Sequence, residues 1–475
     1  MNRTMRTCAL GALLLGLAGC VPALKTRDAR TALPRSFPAA SADTANSAAV
    51  AWRAFYSDPY LRALIDTALA NNQELAILLQ EVEIARNEVR ARKGEYLPFV
   101  GLTAGAGAEK AGEFTRNGAV ERGLPIREEQ RFPEPVPDFM VAARASWELD
   151  VWKQLRNQKK AAMLRYLGTE QGRRFMVTNL VAELAASYYE LMALDNQLEI
   201  LRSNIAIQQD ALDIVRLEKQ AAKVTELAVR RFEAEVLKNR SNLFALQQRI
   251  TETENRINLL AGRMPQPVQR GSAAFADLAP DTVYAGVPAQ LLVNRPDIRQ
   301  AELELAAAKL DVKAARASFF PAVRLTAAAG LNAFEPSLLT EHPASLIYSV
   351  AGDLVAPLIN RNAIKAAYAS ANARQLQAVN AYERAVISAY AEAVNQLASI
   401  ANLRSSYALR RQQVEALTSS ITISGNLFRS ARADYMEVLL TQRDALEARF
   451  ELVDTQLGRM QAMVGMYRAL GGGWR

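Results

Sequence analysis

Histidine and cysteine are nearly missing from this chain, which holds one histidine, His342, and two cysteines, Cys8 and Cys20, in 475 residues. A single histidine beside Pro343 excludes a multi-histidine zinc site and gives a Ser-His-Asp triad no supporting arrangement. No paired nucleophile and base, phosphate loop or ligand cluster stands in the sequence, so neither an enzyme nor a cofactor is expected. Long apolar runs are missing as well. No stretch reaches the roughly 18 to 20 residues that a transmembrane helix requires, which excludes helical membrane spanning. Blocks of one charge are missing too. The net charge of +8 comes from basic residues scattered through helical segments, which reads as solvated helix faces and argues against nucleic-acid binding.

The N-terminus is specific. Arg3 and Arg6 precede an apolar run from Cys8 to Leu17, and Leu17-Ala18-Gly19-Cys20 closes it. The run is too short to span a bilayer, and small residues before a cysteine suit a lipoprotein signal peptidase. Residues 1–19 are therefore expected to be a signal peptide and Cys20 the acylated first residue of the mature chain. Cleavage would discard Cys8, so no internal disulfide can form. Acyl chains contribute ~0.8 kcal/mol per buried CH2, enough for permanent anchoring when several are attached.

The 18 prolines partition the rest, because an interior proline costs a helix ~3 kcal/mol. Long proline-free tracts run over 60–97, 138–264 and 358–475, with a shorter one over 297–320. Within them apolar residues keep a coiled-coil spacing: Leu191, Leu194, Leu198, Leu201, Ile205, Leu212 and Val215. The seam continues in Phe232, Val236, Leu243, Leu246, Ile250, Ile257 and Leu260, and returns in Leu446, Phe450, Val453, Leu457, Met460, Val464 and Tyr467. A strict seven-residue repeat imposes left-handed supercoiling. A 60-residue helix of this kind would be ~90 Å long, more than a globular core uses.

Four segments alternate instead with period two. Val100, Leu102, Ala104 and Ala106 form one apolar face; Phe139, Val141, Ala143, Ala145, Trp147 and Leu149 a second; Val323, Leu325, Ala327, Ala329 and Leu331 a third. Leu346, Tyr348, Val350 and Leu354 form a weaker fourth. Each has the ~9 to 11 residues of a membrane-spanning strand, with aromatics at the ends in Tyr96, Phe99, Trp147, Trp152, Phe319, Phe320 and Phe334. Open strand edges are excluded from lipid, so four strands need other subunits to close a barrel. The chain also repeats itself. Pro98-Phe99-Val100-Gly101-Leu102-Thr103-Ala104 returns as Pro321-Ala322-Val323-Arg324-Leu325-Thr326-Ala327, and Arg156-Asn157 with Lys160-Ala161-Ala162 as Arg361-Asn362 with Lys365-Ala366-Ala367. The expected organisation is a lipidated tether over 20–50, a first repeat over 51–264, a linker over 265–296 and a second repeat over 297–475. Each repeat reads as helix, two strands, very long helix, turn and helix.

These residues resemble the TolC/OprM family of outer-membrane factors, especially its lipoprotein branch. The resemblance rests on Trp52-Arg53-Ala54-Phe55-Tyr56-Ser57-Asp58-Pro59 with Leu64-Ile65 and Ala68-Leu69-Ala70-Asn71-Asn72, on Asn294-Arg295-Pro296-Asp297-Ile298-Arg299-Gln300-Ala301-Glu302, and on Tyr467-Arg468-Ala469-Leu470-Gly471-Gly472-Gly473-Trp474. It implies an α+β membrane protein: a homotrimer whose 12-stranded outer-membrane β-barrel, four strands per subunit, continues into a long α-helical coiled-coil periplasmic barrel. It further implies an equatorial band and an inner end opened by a periplasmic adaptor and an inner-membrane RND-type pump, with small molecules as cargo. A protein-secretion channel of the same fold, or a periplasmic coiled-coil structural lipoprotein, are the alternatives.

The inner end would lie where the long helices turn back, over 220–225 and 430–434. Arg216, Lys219, Lys223 and Thr225 in the first turn, and Arg429, Arg432 and Asp434 in the second, are the candidate adaptor-docking and gate-link residues. Asp213, Glu218 and Asp434 are the acids expected to pair with the bases. Exposed ion pairs contribute only ~0 to 1 kcal/mol, weak enough to break on opening. The resemblance also aligns the family's Tyr-Leu-x-x-Leu-Asp-Ala-Gln-Arg tract with Tyr435-Met436-Glu437-Val438-Leu439-Leu440-Thr441-Gln442-Arg443, so Leu440 stands where an aspartate is expected. A ring of leucines would close by apolar contact and dewetting. Glu437 and Asp444, on the same helical side, are the alternative source of the missing charge. Met460, Met463 and Met466 suggest soft-metal binding, but Met460 already belongs to the seam, so packing is the expected role and no metal site is assigned.

Overall fold

The computed structural model describes residues 21–25, 27–38, 45–126, 131–271, 275, 278, 283–357, 359, 361–430 and 432–475. Cys20 and the signal segment lie outside them. The elements follow a similar order twice, the first half adding an α-helix between its two strands. The short α1 (Trp52–Phe55) is followed by α2 (Pro59–Asn71), α3 (Gln73–Glu95), β1 (Phe99–Glu109), α4 (Arg116–Gly123), β2 (Val136–Leu149), α5 (Gln154–Gln220) and α6 (Glu226–Leu260). Then come α7 (Leu291–Asn294), α8 (Pro296–Ala317), β3 (Ala322–Ala333), β4 (Leu346–Val355), α9 (Asn362–Arg429) and α10 (Tyr435–Ala469). The residues group into two compact units: one of residues up to Asp28, Glu83–Leu167 and Leu303–Asn380, the other of Ala29–Val82, Gly168–Glu302 and Ala381–Arg475.

The first unit is built on one antiparallel sheet in the order β1-β2-β3-β4. Its register joins Leu102, Ala143, Ala329 and Tyr348 in one row, and Ala104, Val141, Leu331 and Leu346 in another. Because side chains alternate, the rows between them fall on the opposite face. There Gly101, Arg144, Ala328 and Ser349 align, and Glu148, Arg324 and Asp353. One face is thus apolar and the other small or charged. The apolar face is open: Leu102 is 78% exposed and Val350 83%. Aromatics mark both ends. Trp147 donates its indole N–H to Tyr96 O at 3.2 Å, Trp152 donates to Pro321 O at 2.7 Å and stacks on Phe320, and Phe132 meets Phe334 beyond the other end. Phe319 departs from the expectation. It is buried edge-on against Tyr368 and is a core residue, since a ring enclosed by helix cannot sit at a lipid interface.

In the second unit the sequence motifs are capping and packing devices. Asp58 Oδ1 accepts the Tyr60 and Leu61 N–H groups that open α2, and its Oδ2 accepts the Tyr188 hydroxyl at 2.8 Å. Tyr467 stacks on Phe55 with centroids 3.9 Å apart and donates to Val50 O at 2.6 Å; burial pushes its phenol pKa up to about 12. The 60–97 tract is not one helix. Asn72 interrupts it by accepting the Leu75 N–H at 2.9 Å, an N-cap that proline counting does not detect. The expected tether is also more than a spacer, because Phe37 is buried and stacked on Tyr390.

Equivalent contacts recur in the two halves. At the end of α6, Arg263 N–H reaches Asn258 O and Gly262 N–H reaches Leu259 O; at the end of α10, Gly472 and Gly471 make the same pair to Tyr467 and Arg468. Both are Schellman turns with glycine at φ +65° and +89°. A side chain at either would collide with backbone, at Asn71 O for Gly262 and at Asn294 O for Gly471. The next residues cap the same carbonyl level: Asn72 Nδ2 donates to Leu260 O at 3.0 Å and Arg295 Nη1 to Ala469 O at 2.8 Å. Arg295 is buried and compensated by Asp297 and Glu392, each at 2.8 Å, so its charge is paired where an isolated one would be costly.

Candidate gate at the helical turns

Both long helices end in turns that share a backbone bond back to the last turn of the helix. After α5, Lys223 N–H donates to Glu218 O and Ala222 N–H to Lys219 O, each at 2.9 Å; after α9, Arg432 N–H donates to Leu427 O at 2.9 Å. Ala222 holds φ +59°, a left-handed conformation that costs a residue with a Cβ ~1 kcal/mol or more. Beneath the turns lies an apolar cluster of Leu212, Val215, Ala228, Val229, Phe232 and Val236, against which Phe428, Tyr435 and Leu439 pack.

The expected charge links form only in part. Arg216 pairs with Asp213 at 3.2 Å and approaches Glu233 at 3.9 Å. Lys219 pairs with Glu226, across the turn, and not with Glu218 on its own helix. That hydrogen bond, with Arg230 nearby, holds the Glu226 carboxyl below the ordinary glutamate range. Neither Glu218 nor Asp434 forms an ion pair with the turn bases among the described residues, because each base finds a nearer partner or none. Arg429 donates to Asn426 Oδ1 at 2.6 Å and Gly425 O, both on its own helix. Lys223 and Arg432 have no side-chain ion pair among the described residues. Thr225 precedes α6 at its N-cap without a side-chain capping bond.

On α10, Tyr435 and Met436 are half-buried, whereas Glu437, Leu440 and Asp444 share the exposed face, Leu440 at 39%. Asp444 pairs with Arg443 at 3.1 Å; Glu437 has no ion pair among the described residues. Arg231 of α6 donates to Met436 Sδ at 2.8 Å, so a guanidinium stands one helical turn from Leu440. Met460, Met463 and Met466 are all buried, the first two in the main core with Tyr467, as packing requires.

The seam holds a layer that the heptad pattern passes over. Gln208 on α5, Asn239 on α6 and Gln442 on α10 are each 4% exposed or less, and so is Asn204. Gln208 lies between Ile205 and Leu212, Asn239 between Val236 and Leu243, and Gln442 between Leu439 and Leu446. Each therefore occupies a seam position between the cluster at the turns and the next one, which contains Leu194, Leu201 and Leu246 with Ile205, Leu243, Leu446 and Phe450. Asn239 Nδ2 donates to Gln208 Oε1 at 2.8 Å, while Gln208 Nε2, Asn204 Oδ1 and Gln442 Oε1 have no protein partner among the described residues. The sequence signal was the jump in the apolar series from Ile205 to Leu212 and from Val236 to Leu243.

Residues 64–263 and 287–472 match the family described as outer membrane efflux protein. The chain belongs to that family. The two matched blocks each contain one long-helix turn, and the interval between them, 264–286, is unmatched. Among curated relatives of this outer membrane efflux protein, the pyoverdine export outer membrane protein OpmQ of Pseudomonas aeruginosa is 30% identical over 465 residues, 98% of this chain and 95% of that one. The cation efflux system protein CusC of Escherichia coli is 26% identical, covering 97% of each. Its fold is shared with a solved CusC structure at 25% identity and TM-score 0.81, covering 96% of this chain and all of that one. The open state of the Neisseria gonorrhoeae MtrE outer membrane channel superposes with TM-score 0.83 at 23% identity, covering 96% and 99%.

Proposed function

We propose that three copies of this outer membrane efflux protein close their sheets into a 12-stranded barrel, and that the helices form a periplasmic channel whose inner end is at the two turns. The observation that carries this is the sheet whose two edges, β1 and β4, are unpaired among the described residues, with an apolar face that is largely open on β1 and β4. Unpaired edge groups in hydrocarbon cost several kcal/mol each, and only closure with other chains satisfies them. The charged face with Arg144, Arg324 and Asp353 would then line the water-filled interior. Acyl chains on Cys20 would add a lipid anchor. Partners are a periplasmic adaptor and an inner-membrane RND-type pump, and the cargo is small molecules. The relatives' names range from pyoverdine to cations to solvents, which supports a channel that follows its pump's choice of cargo. The channel supplies a passage and no chemistry.

Cysteines placed on β1 and β4, joined by a flexible bis-maleimide in native membranes, are expected to give a covalent ladder ending at three chains. Products that stop at one chain would overturn the trimeric barrel.

A further inference from the structure

A guanidinium on a membrane-spanning strand is strongly disfavoured against lipid, so it goes to the face that water reaches. The four strands carry two arginines, Arg144 on β2 and Arg324 on β3, both on the face of small and charged residues. Arg324 has its charge compensated. It pairs with Glu148 at 3.4 Å and stands opposite Asp353 in the register. Arg144 has no ion pair among the described residues. Its guanidinium reaches along its own strand to Met140 Sδ at 3.8 Å, a weak acceptor that a carboxylate would displace. The row of Arg144 offers only Gly101, Ala328 and Ser349, and the same-face rows on either side contain no acid.

An aromatic ring accompanies this charge. Phe99, opposite Ser146, belongs to the same face as Arg144 and is 71% exposed. Its ring leans over Gly101, the residue directly across from Arg144: a Cβ placed there would meet Phe99 Cε1 at 3.3 Å. Lipid accounts for exposed apolar side chains on the other face of the sheet, but not for this ring.

We propose that Arg144 and Phe99 form a transit site for aromatic carboxylates, whose carboxylate takes the guanidinium from Met140 while the ring lies against Phe99. The proposal rests on the reading of this face as the lumen of a three-chain barrel. Twelve strands ~4.8 Å apart and tilted ~40° enclose a backbone radius of ~12 Å. Guanidinium groups projecting from that wall stand within about one screening length of the axis, ~8 Å at physiological salt, so three of them act across the bore. Solvent keeps each pair weak, as a path requires when it must release what it holds.

Single-channel recording of the full chain in planar bilayers tests the site with sodium benzoate as the probe. Benzoate should reduce the current at lower concentration than acetate, which lacks the ring, or benzamide, which lacks the charge. Arg144→Gln should raise the half-blocking concentration about two- to fivefold, the change an exposed ion pair makes. It should also shift the reversal potential under a salt gradient toward cations, whereas Arg144→Lys should not. Phe99→Ala should weaken the block to a similar extent and leave the reversal potential unchanged, because it removes no charge. Block that acetate matches, or that either Arg144→Gln or Phe99→Ala leaves unaltered, would overturn the site. In native membranes Ser349→Cys, in the row of Arg144, should react with a membrane-impermeant maleimide, and Val350→Cys on the other face should not. The reverse pattern would overturn the reading of this face as the lumen, and a wild-type chain that conducts no current would overturn the channel; the site falls with either.

Discussion

At the scale of single residues, the proposed inner end is set by which charges find partners. Leu440 faces outward from its own protomer with Glu437 and Asp444 on the same side, and Asp444 is already engaged by Arg443. Leu440→Asp should therefore turn an apolar constriction toward cation preference, read as a shift in reversal potential under a salt gradient; an unchanged potential would remove Leu440 from the pore lining. Lys219 and Glu226 tie the first turn across its two helices. Because the Glu226 pKa is lowered by the fold, the tie contributes above the ordinary glutamate range and is lost as pH falls through the depressed value. Protection of the amides over 220–225, measured against their intrinsic exchange rates, should fall in that acid window, and Glu226→Gln should leave protection low and remove its dependence on pH.

Elements show what local pattern can and cannot specify. Period-two alternation specified the apolar face of each strand, since side chains must alternate whatever the strand pairs with. It did not specify strand neighbours. The β2–β3 ladder, which joins the two repeats, depends on Gly330, where a Cβ would fall 2.3 Å from Val141 O. Gly330→Val should part that ladder at a cost of ~1 to 3 kcal/mol and reduce heat-resistant trimers, while Gly105→Val, with nothing within 4 Å, should leave them intact. The helices teach the same lesson. Heptads located the seam from Leu191 to Tyr467, but Asn72 broke a proline-free tract, and polar seam residues were invisible to a search for apolar ones.

For the whole molecule, the proposed lipid anchor and the proposed barrel would be separate holds on the membrane. A mature chain delivered by a signal peptide that lacks the lipidation cysteine should stay in the outer-membrane fraction after a urea wash, because the strands hold it. Its release as a soluble protein would reduce the membrane attachment to Cys20 alone. The recurring Schellman turns at Gly262 and Gly471, each pressed on an asparagine carbonyl, show the duplication acting as a structural rule rather than a trace of sequence similarity.

The sequence by itself determined the duplication, the strand faces, the helix seam and the family, because periodicity and short motifs are local properties. Only the tertiary structure decided the rest. Lys219 chose Glu226 over Glu218, Phe319 went into a core, and Gln208, Asn239 and Gln442 met in one layer. Each of these depends on which helix stands opposite. Spacing along a chain does not encode that when several partners of similar chemistry lie within reach.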